Sequence, residues 1–155
     1  SLTGGFIPLA ATVFSEEIHK VFVDTNFSKT FLHGHSFSAN PVACAVALSS
    51  LDLFDKDKTF IKIEEISKIH NDCLKKISKL QNISKIRKLG TIAAFDFKNI
   101  SDSYGSLESL EMRKKFLENG LLLRPLGNTV YFMPPYCIKK ENLINSYEKL
   151  IEILQ

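Results

Sequence analysis

Two places in this sequence hold residues whose types and spacing could do chemistry. The first is FLHGHSFSAN, residues 31–40, where His33, Gly34, His35 and Ser36 stand just ahead of Asn40-Pro41. Asn40 is a good N-cap and Pro41 the favoured first helical residue, so this loop hands the chain onto a helix N-terminus. Such an end carries unpaired N–H groups and partial positive charge, which attract phosphate or carboxylate. Ser36 adds a hydroxyl. The run reads as an anion pocket, or as a loop whose serine and histidines satisfy local backbone groups; both readings stay open. The second place is Arg124, between the apolar residues Leu121–Leu123 and Pro125, followed by Gly127-Asn128 and TVYFMPPY. An arginine closing an apolar strand must reach an anion or water, and its planar fork fits a carboxylate two-pronged. The alternative is a structural salt bridge to one of the 17 acidic residues.

Other chemistries find less support. His33 and His35 are two apart with no HxxxH and no acid at a useful spacing, so no metal site is expected. His19 and His70 fall on helical stretches, at the surface or an edge. Cys44, Cys73 and Cys137 are odd in number and widely spaced, without a CxxC. They read as small buried hydrophobes in a reducing compartment. GxSxG, GxxxxGK[ST] and GxGxxG are all absent. A net charge of +3, with lysines spread among acids, is a solvated surface and not a nucleic-acid footprint. No apolar run reaches the ~18–20 residues of a membrane helix and no signal peptide is visible, so no membrane partner and a cytoplasmic location are expected.

The elements that must position these residues follow from periodicity and punctuation. The 155 residues, 45% hydrophobic and 24% charged, suit a globular chain with a real core. Thr3-Gly4-Gly5 marks a turn, and FIPLAATVF (6–14) reads as a buried strand. Ser15 caps a short helix to Phe22, and residues 23–30 form a polar loop. Residues 41–54 read as a helix apolar on nearly every side. Asp55-Lys56-Asp57-Lys58 breaks the pattern and marks a boundary between units 1–57 and 58–155. Beyond it Ile63, Ile66, His70, Cys73, Ile77 and Leu80 keep helical spacing. Residues 86–97 read as one strand bent at Gly90, and 106–119 as a helix with Leu107, Leu110, Phe116 and Leu117 inward, closed by Gly120. Short strands are expected at 121–123 and 129–133, then a helix through Leu143, Tyr147, Leu150 and Leu154. The second half is thus a small α+β domain with helices on an antiparallel or mixed sheet.

Four stretches, SLTGGFIPLAAT, FLHGHSFSANPVACAVALSSL, KIRKLGTIAAFDF and GLLLRPLGNTVYFMPPY, together resemble the C-terminal portion of class III aminotransferases. The ordered patterns HGxxFxxNPxACA and RPxGxxxYxMPPY carry the likeness, which runs over essentially the whole chain. The second favours the branch that moves an amino group from adenosylmethionine to 8-amino-7-oxononanoate in biotin biosynthesis. The resemblance implies an α/β fold of the fold-type I class, pyridoxal 5'-phosphate as cofactor, and a homodimer with its active site at the interface. Residues 1–57 would end the large cofactor-binding domain with a strand, a phosphate loop and a buried helix; residues 58–155 would form the small α+β domain. His35 and Ser36 match the pair that contacts the cofactor phosphate, Gly34 a glycine lining the substrate site, and Arg124 the arginine that grips the substrate carboxylate. The family more often has threonine where Ser36 stands, which keeps the hydroxyl. The cofactor-bearing lysine would immediately precede Ser1, so no catalytic residue is expected within these residues and the chain alone is expected to be inactive. Two alternatives accompany this reading: a class III enzyme with another amino donor, or a non-catalytic remnant serving as an interaction module.

Overall fold

The computed structural model describes residues 2–155. The chain forms two compact units, Ser1–Asp57 and Lys58–Gln155, and each is described by itself.

In the first unit, Thr3 is buried and its hydroxyl donates to the Ile7 carbonyl, closing the turn through Gly4 and Gly5. Both glycines sit at positive φ, +62° and +87°, which side-chain-bearing residues avoid. Helix α1 (Glu16–Phe22) begins at Ser15, whose Oγ accepts from the Ile18 N–H, with two acids in the first turn. A single 3₁₀ turn follows at Phe27–Lys29. Helix α2 (Pro41–Lys56) then starts with the expected cap and N1 proline.

Two expectations fail here. Residues 6–14 form no strand, because no described neighbour in the unit offers a ladder and Pro8 lacks a donor. Helix α2 is not buried in this chain: of its residues only Ala43 leaves solvent, since the unit holds no sheet and only one other, seven-residue α-helix among its described residues. Cys44 is exposed for the same reason, and Cys137, in the turn after Pro134-Pro135, is exposed as well; only Cys73 is buried.

The second unit carries the core. Helix α3 (Thr59–Ile77) packs on strands β1 (Ile83–Leu89) and β2 (Ile92–Phe97) and on helix α5 (Lys140–Leu154), while α4 (Leu107–Glu118) packs on α5. Strand β3 (Thr129–Phe132) completes an antiparallel sheet in the order β1-β2-β3. The sheet is therefore antiparallel, within the small α+β arrangement that the sequence implies. Central β2 is buried at every position after Ile92, and Phe95, Phe116, Val130, Leu143, Tyr147 and Leu150 are nearly inaccessible. Burial of each large side chain contributes about 1.5–3 kcal/mol.

Several sequence expectations need correction in this unit. Residues 86–97 are not one bent strand but a hairpin, with Leu89 paired to Ile92 across Gly90-Thr91. Gly90, at φ +54°, supplies the left-handed residue that a two-residue turn needs. Residues 121–123 form no strand; Pro125 has no N–H to give, and the only pairing there is the bridge Leu126–Thr129. In α4 the inward phase is Ser109, Met112 and Phe116, while Leu107, Leu110 and Leu117 face solvent. The helix ends as expected at Gly120, with Gly120 N–H on Leu117 C=O and Leu121 N–H on Phe116 C=O, the Schellman pair.

His70 is not at the surface; it is fully buried on the stripe Ile66-His70-Cys73-Ile77. Its Nε2 lies 2.9 Å from the Thr91 carbonyl and its Nδ1 2.6 Å from the Tyr147 hydroxyl. A carbonyl can only accept, so Nε2 carries the proton and Nδ1 accepts from Tyr147. Burial pulls His70 below the ordinary histidine range, against the Thr91 bond and with help from Lys88; burial also drives the Tyr147 phenol far up. Both ring nitrogens are satisfied by a neutral imidazole, which is why a polar residue sits in the core without cost in unpaired groups.

Candidate active site

The loop before α2 is built by serine and asparagine side chains acting on the backbone. Ser38 Oγ accepts from the His35 N–H at 2.9 Å, and the Ser38 N–H returns to the His35 carbonyl at 2.9 Å. Asn40 N–H bonds Phe37 C=O, and Ala39 takes positive φ, +56°, to swing the chain into the helix. Asn40 Oδ1 then accepts from the Val42 N–H at 3.0 Å. Ser38, which sequence reasoning passed over, is thus the loop's organiser; its signal was a hydroxyl three residues after His35, the reach of a side-chain-to-backbone turn. Ser36 makes no side-chain hydrogen bond among the described residues, which leaves its hydroxyl available to a ligand.

The imidazoles of this loop are shoulder to shoulder and exposed. His35 stacks on Phe37, centroids 5.4 Å apart and planes 15° apart, and meets His33 edge-on at 6.0 Å. The His33 and His35 rings therefore lie side by side, and no three metal-ligating side chains gather anywhere among the described residues. Gly34 does not occupy positive φ, and a Cβ there would touch only Ser38 Oγ at 3.6 Å. The fold does not demand glycine at this position, so the empty space beside it is free for something else. Thr3, Gly5, His35, Ser38 and Asn40 line a cleft of about 950 Å³ within this unit. The structure thus brings His35 and the capped helix start together with the Thr3-Gly4-Gly5 turn, while Ser36 is exposed and does not line this cleft.

Arg124 belongs to the second unit. The ladder between β2 and β3 ends at Phe97 and Asn128, where Phe97 N–H bonds Asn128 C=O at 2.9 Å and Asn128 Nδ2 bonds Phe97 C=O at 3.1 Å. Leu126 and Thr129 exchange both backbone bonds and close a tight turn. Gly127, at φ +58°, forms the tip of that turn and lies against the Asp102 backbone so closely that a Cβ would sit 2.2 Å from the Asp102 carbonyl oxygen. The base of the turn is tied by Asp96, a buried carboxylate that accepts from Thr129 Oγ1 at 2.8 Å and Arg87 Nη1 at 2.9 Å. A bulge between Ser84 and Arg87, with Lys85 at φ +45°, also brings the Lys85 ammonium to 3.7 Å from Asp96. Burial works to raise Asp96, but these hydrogen bonds and charges outweigh it and hold its carboxyl below the usual range.

Arg124 itself is exposed, and no carboxylate lies within ion-pair distance of it among the described residues. Its Nη2 donates to the Tyr104 hydroxyl, and its guanidinium carbon lies 5.9 Å from the centre of the Tyr104 ring. The internal salt bridge weighed from sequence is not what the fold provides. Tyr104 is the partner that sequence reasoning missed, since it sits 20 residues away in a polar loop with no periodic signal.

The model of class-III aminotransferases matches residues 1–154. Adenosylmethionine-8-amino-7-oxononanoate aminotransferase of Synechococcus elongatus is 38% identical over 155 residues, 99% of this chain and 36% of the relative. The Helicobacter pylori protein of the same name is 39% identical, again over 99% of this chain and 36% of its own length. The crystal structure of the Methanocaldococcus jannaschii protein of that name superposes on 99% of this chain and 36% of its own, with TM-score 0.85 and 29% identity. An amine transaminase from an uncultivated Pseudomonas species, solved in a PLP-bound form, shares the fold at TM-score 0.83 and 22% identity over 99% of this chain and 36% of its own. The chain spans about a third of the length of the curated relatives it matches. With the motifs of both units in place and the family's model matched almost end to end, the chain belongs to the class-III aminotransferases.

Proposed function

We propose that this chain is part of a pyridoxal-phosphate-dependent enzyme that moves an amino group from adenosylmethionine to 8-amino-7-oxononanoate, a step of biotin biosynthesis. The observation that carries the reading is Arg124, an exposed guanidinium fixed in a pinned turn, with a hydroxyl and no carboxylate for a partner. Relatives of about 38–39% identity bear the name of this reaction, which favours it over a class III enzyme with another donor and over a non-catalytic remnant. Cytoplasmic location and a homodimer with the site at its interface complete the proposal.

The residues fit the cofactor's phosphate. The start of α2 offers the partial positive charge of a helix N-terminus beside the capping Asn40, and Ser36 has an uncommitted hydroxyl. When bound, pyridoxal phosphate supplies the electron sink that amino transfer requires. In this assignment Ser36 and His35 contact the phosphate, and Gly34 leaves room for the substrate chain. Arg124 receives the substrate carboxylate on its planar fork, which sets the orientation of the rest of the molecule. None of the four breaks or makes a bond; they bind and orient.

The test is steady-state kinetics of the full-length protein, with adenosylmethionine compared with lysine as donor. Arg124→Ala is expected to raise KM for 8-amino-7-oxononanoate about tenfold or more, as loss of a charge-assisted bond does. Ser36→Ala is expected to weaken cofactor retention about tenfold, and Ser36→Thr to preserve it. Turnover with lysine and none with adenosylmethionine would overturn the donor, and unchanged KM in Arg124→Ala would overturn the carboxylate role.

A further inference from the structure

We infer that Tyr104 is a positioning residue for the substrate carboxylate: its hydroxyl and ring hold the Arg124 guanidinium in the orientation that receives the anion. The inference rests on the reading of Arg124 as the carboxylate grip and adds the residue that makes that grip directional. Arginine is a long side chain with large rotamer freedom, and an exposed one with no partner spends little time in a single pose. Here Nη2 is committed to the Tyr104 hydroxyl and the ring faces the guanidinium carbon at 5.9 Å, a cation–π approach. One of the five N–H donors is used, and the remaining four still offer a carboxylate a two-pronged edge.

The loop that carries Tyr104 is held in place by features independent of that contact. The Ser106 N–H bonds the Ser103 carbonyl, making Tyr104 and Gly105 the central residues of a turn, and Gly105 takes φ +78°, as the third position of a type II turn requires. Ser106 continues directly as the cap of α4, its Oγ accepting from the Ser109 N–H. Two residues before Tyr104, the Asp102 backbone abuts Gly127, three residues beyond Arg124. The two loops are thus interlocked by backbone, and the tyrosine and arginine side chains span the gap between them. Tyr104 is 68% exposed, so its ring is not retained for core packing. A structural account of an exposed tyrosine leaves its bond to the arginine without a consequence, whereas a carboxylate grip gives it one.

The full-length protein tests this with two acceptor substrates, 8-amino-7-oxononanoate and its methyl ester, which keeps the reacting carbonyl and loses the charge. Tyr104→Phe is expected to raise KM for the acid about three- to tenfold with kcat little changed, and to leave the ester unaffected. Tyr104→Leu, which also removes the ring, is expected to lose more. In an Arg124→Ala background the tyrosine change is expected to add nothing, since the two act through one interaction. Thermal melting of Tyr104→Phe should match the parent. If Arg124→Ala abolishes the preference for acid over ester and Tyr104→Phe leaves it intact, the tyrosine assignment falls and the arginine reading stands. Equal losses on acid and ester in Tyr104→Phe would make its role merely structural and also overturn the assignment. Retention of the preference in Arg124→Ala would overturn both.

Discussion

Gly127→Ala is the change that most directly probes how the turn beside Arg124 is held. A Cβ at Gly127 would stand 2.2 Å from the Asp102 carbonyl oxygen and 2.7 Å from its carbon, where ordinary contact begins near 3.4 Å. The two backbones would have to part by 1.2 Å, the difference between 3.4 and 2.2 Å. Neither partner is a flexible side-chain tip, so the displacement passes to the loops carrying Arg124 and Tyr104. The left-handed φ of +58° adds about 1–2 kcal/mol of its own for a residue with a Cβ. Gly120→Ala is the matched control: its φ is +76°, but its Cβ would meet only the Lys149 ammonium at 3.5 Å. Both variants suffer the φ strain and only one suffers the clash. In the full-length protein Gly120→Ala is expected to lose about 1 kcal/mol in urea unfolding and to keep kcat/KM within about twofold. Gly127→Ala is expected to lose about 2–4 kcal/mol, and kcat/KM for the carboxylate substrate should fall about 10- to 100-fold, the usual consequence of misplacing a binding group by about 1 Å. If the two variants behave alike in both assays, the Gly127–Asp102 contact does not hold the turn and the reasoning is wrong.

Three further outcomes follow from the second unit. Asp96→Ala removes the acceptor shared by Thr129 and Arg87 and should cost about 2 kcal/mol in denaturant unfolding, limited because Arg87 is half exposed and keeps its water. Because its pKa is lowered on folding, the Asp96 contribution is complete above about pH 4 and is lost as acid titrates the folded carboxyl, a slope that Asp96→Ala should lack. His70 is also lowered on folding, so its contribution is complete above about pH 6.5 and declines as pH falls through the folded value; His70→Leu should be less stable at neutral pH, with Tyr147 and Thr91 left unpaired, yet flatter as pH falls below about 6.5. Cys73 is buried and its thiol is pushed up chiefly by that burial, so an aromatic disulfide reagent should modify it only on unfolding, as peptide mapping would show.

Local signals were legible and partners were not. Asn40-Pro41, Ser15 and Gly120 announced helix ends correctly because a cap is decided within four or five residues of chain. The stripes of α3 and α5 were legible because one face of each meets the sheet or its neighbouring helix, and burial then follows the 3.6-residue period. Helix α4 broke that logic: its leucines 107, 110 and 117 read as an inward face, but Phe116 and Met112 set the phase and the leucines remain wet. Gly90 read as a bend and not as a reversal because a two-residue hairpin and a kinked strand share one glycine and the same apolar flanks; only pairing of Leu89 with Ile92 decides it.

The same division runs through the site. Ser36, Asn40 and Arg124 could be singled out by chemistry alone, since a hydroxyl before a capped helix and an arginine after an apolar run each admit an anion as partner. What Arg124 does with its charge in the folded chain was undecidable, because 17 acids offered a salt bridge and nothing in the spacing favoured any of them. The fold answers through a tyrosine in a polar loop, delivered by a type II turn and a glycine that lets two backbones touch. A hydroxyl partner leaves the guanidinium's charge uncompensated, whereas an acid would have neutralised it and taken its fork. The pairing that sequence could not find is therefore the one that leaves the Arg124 charge open for the carboxylate proposed for it.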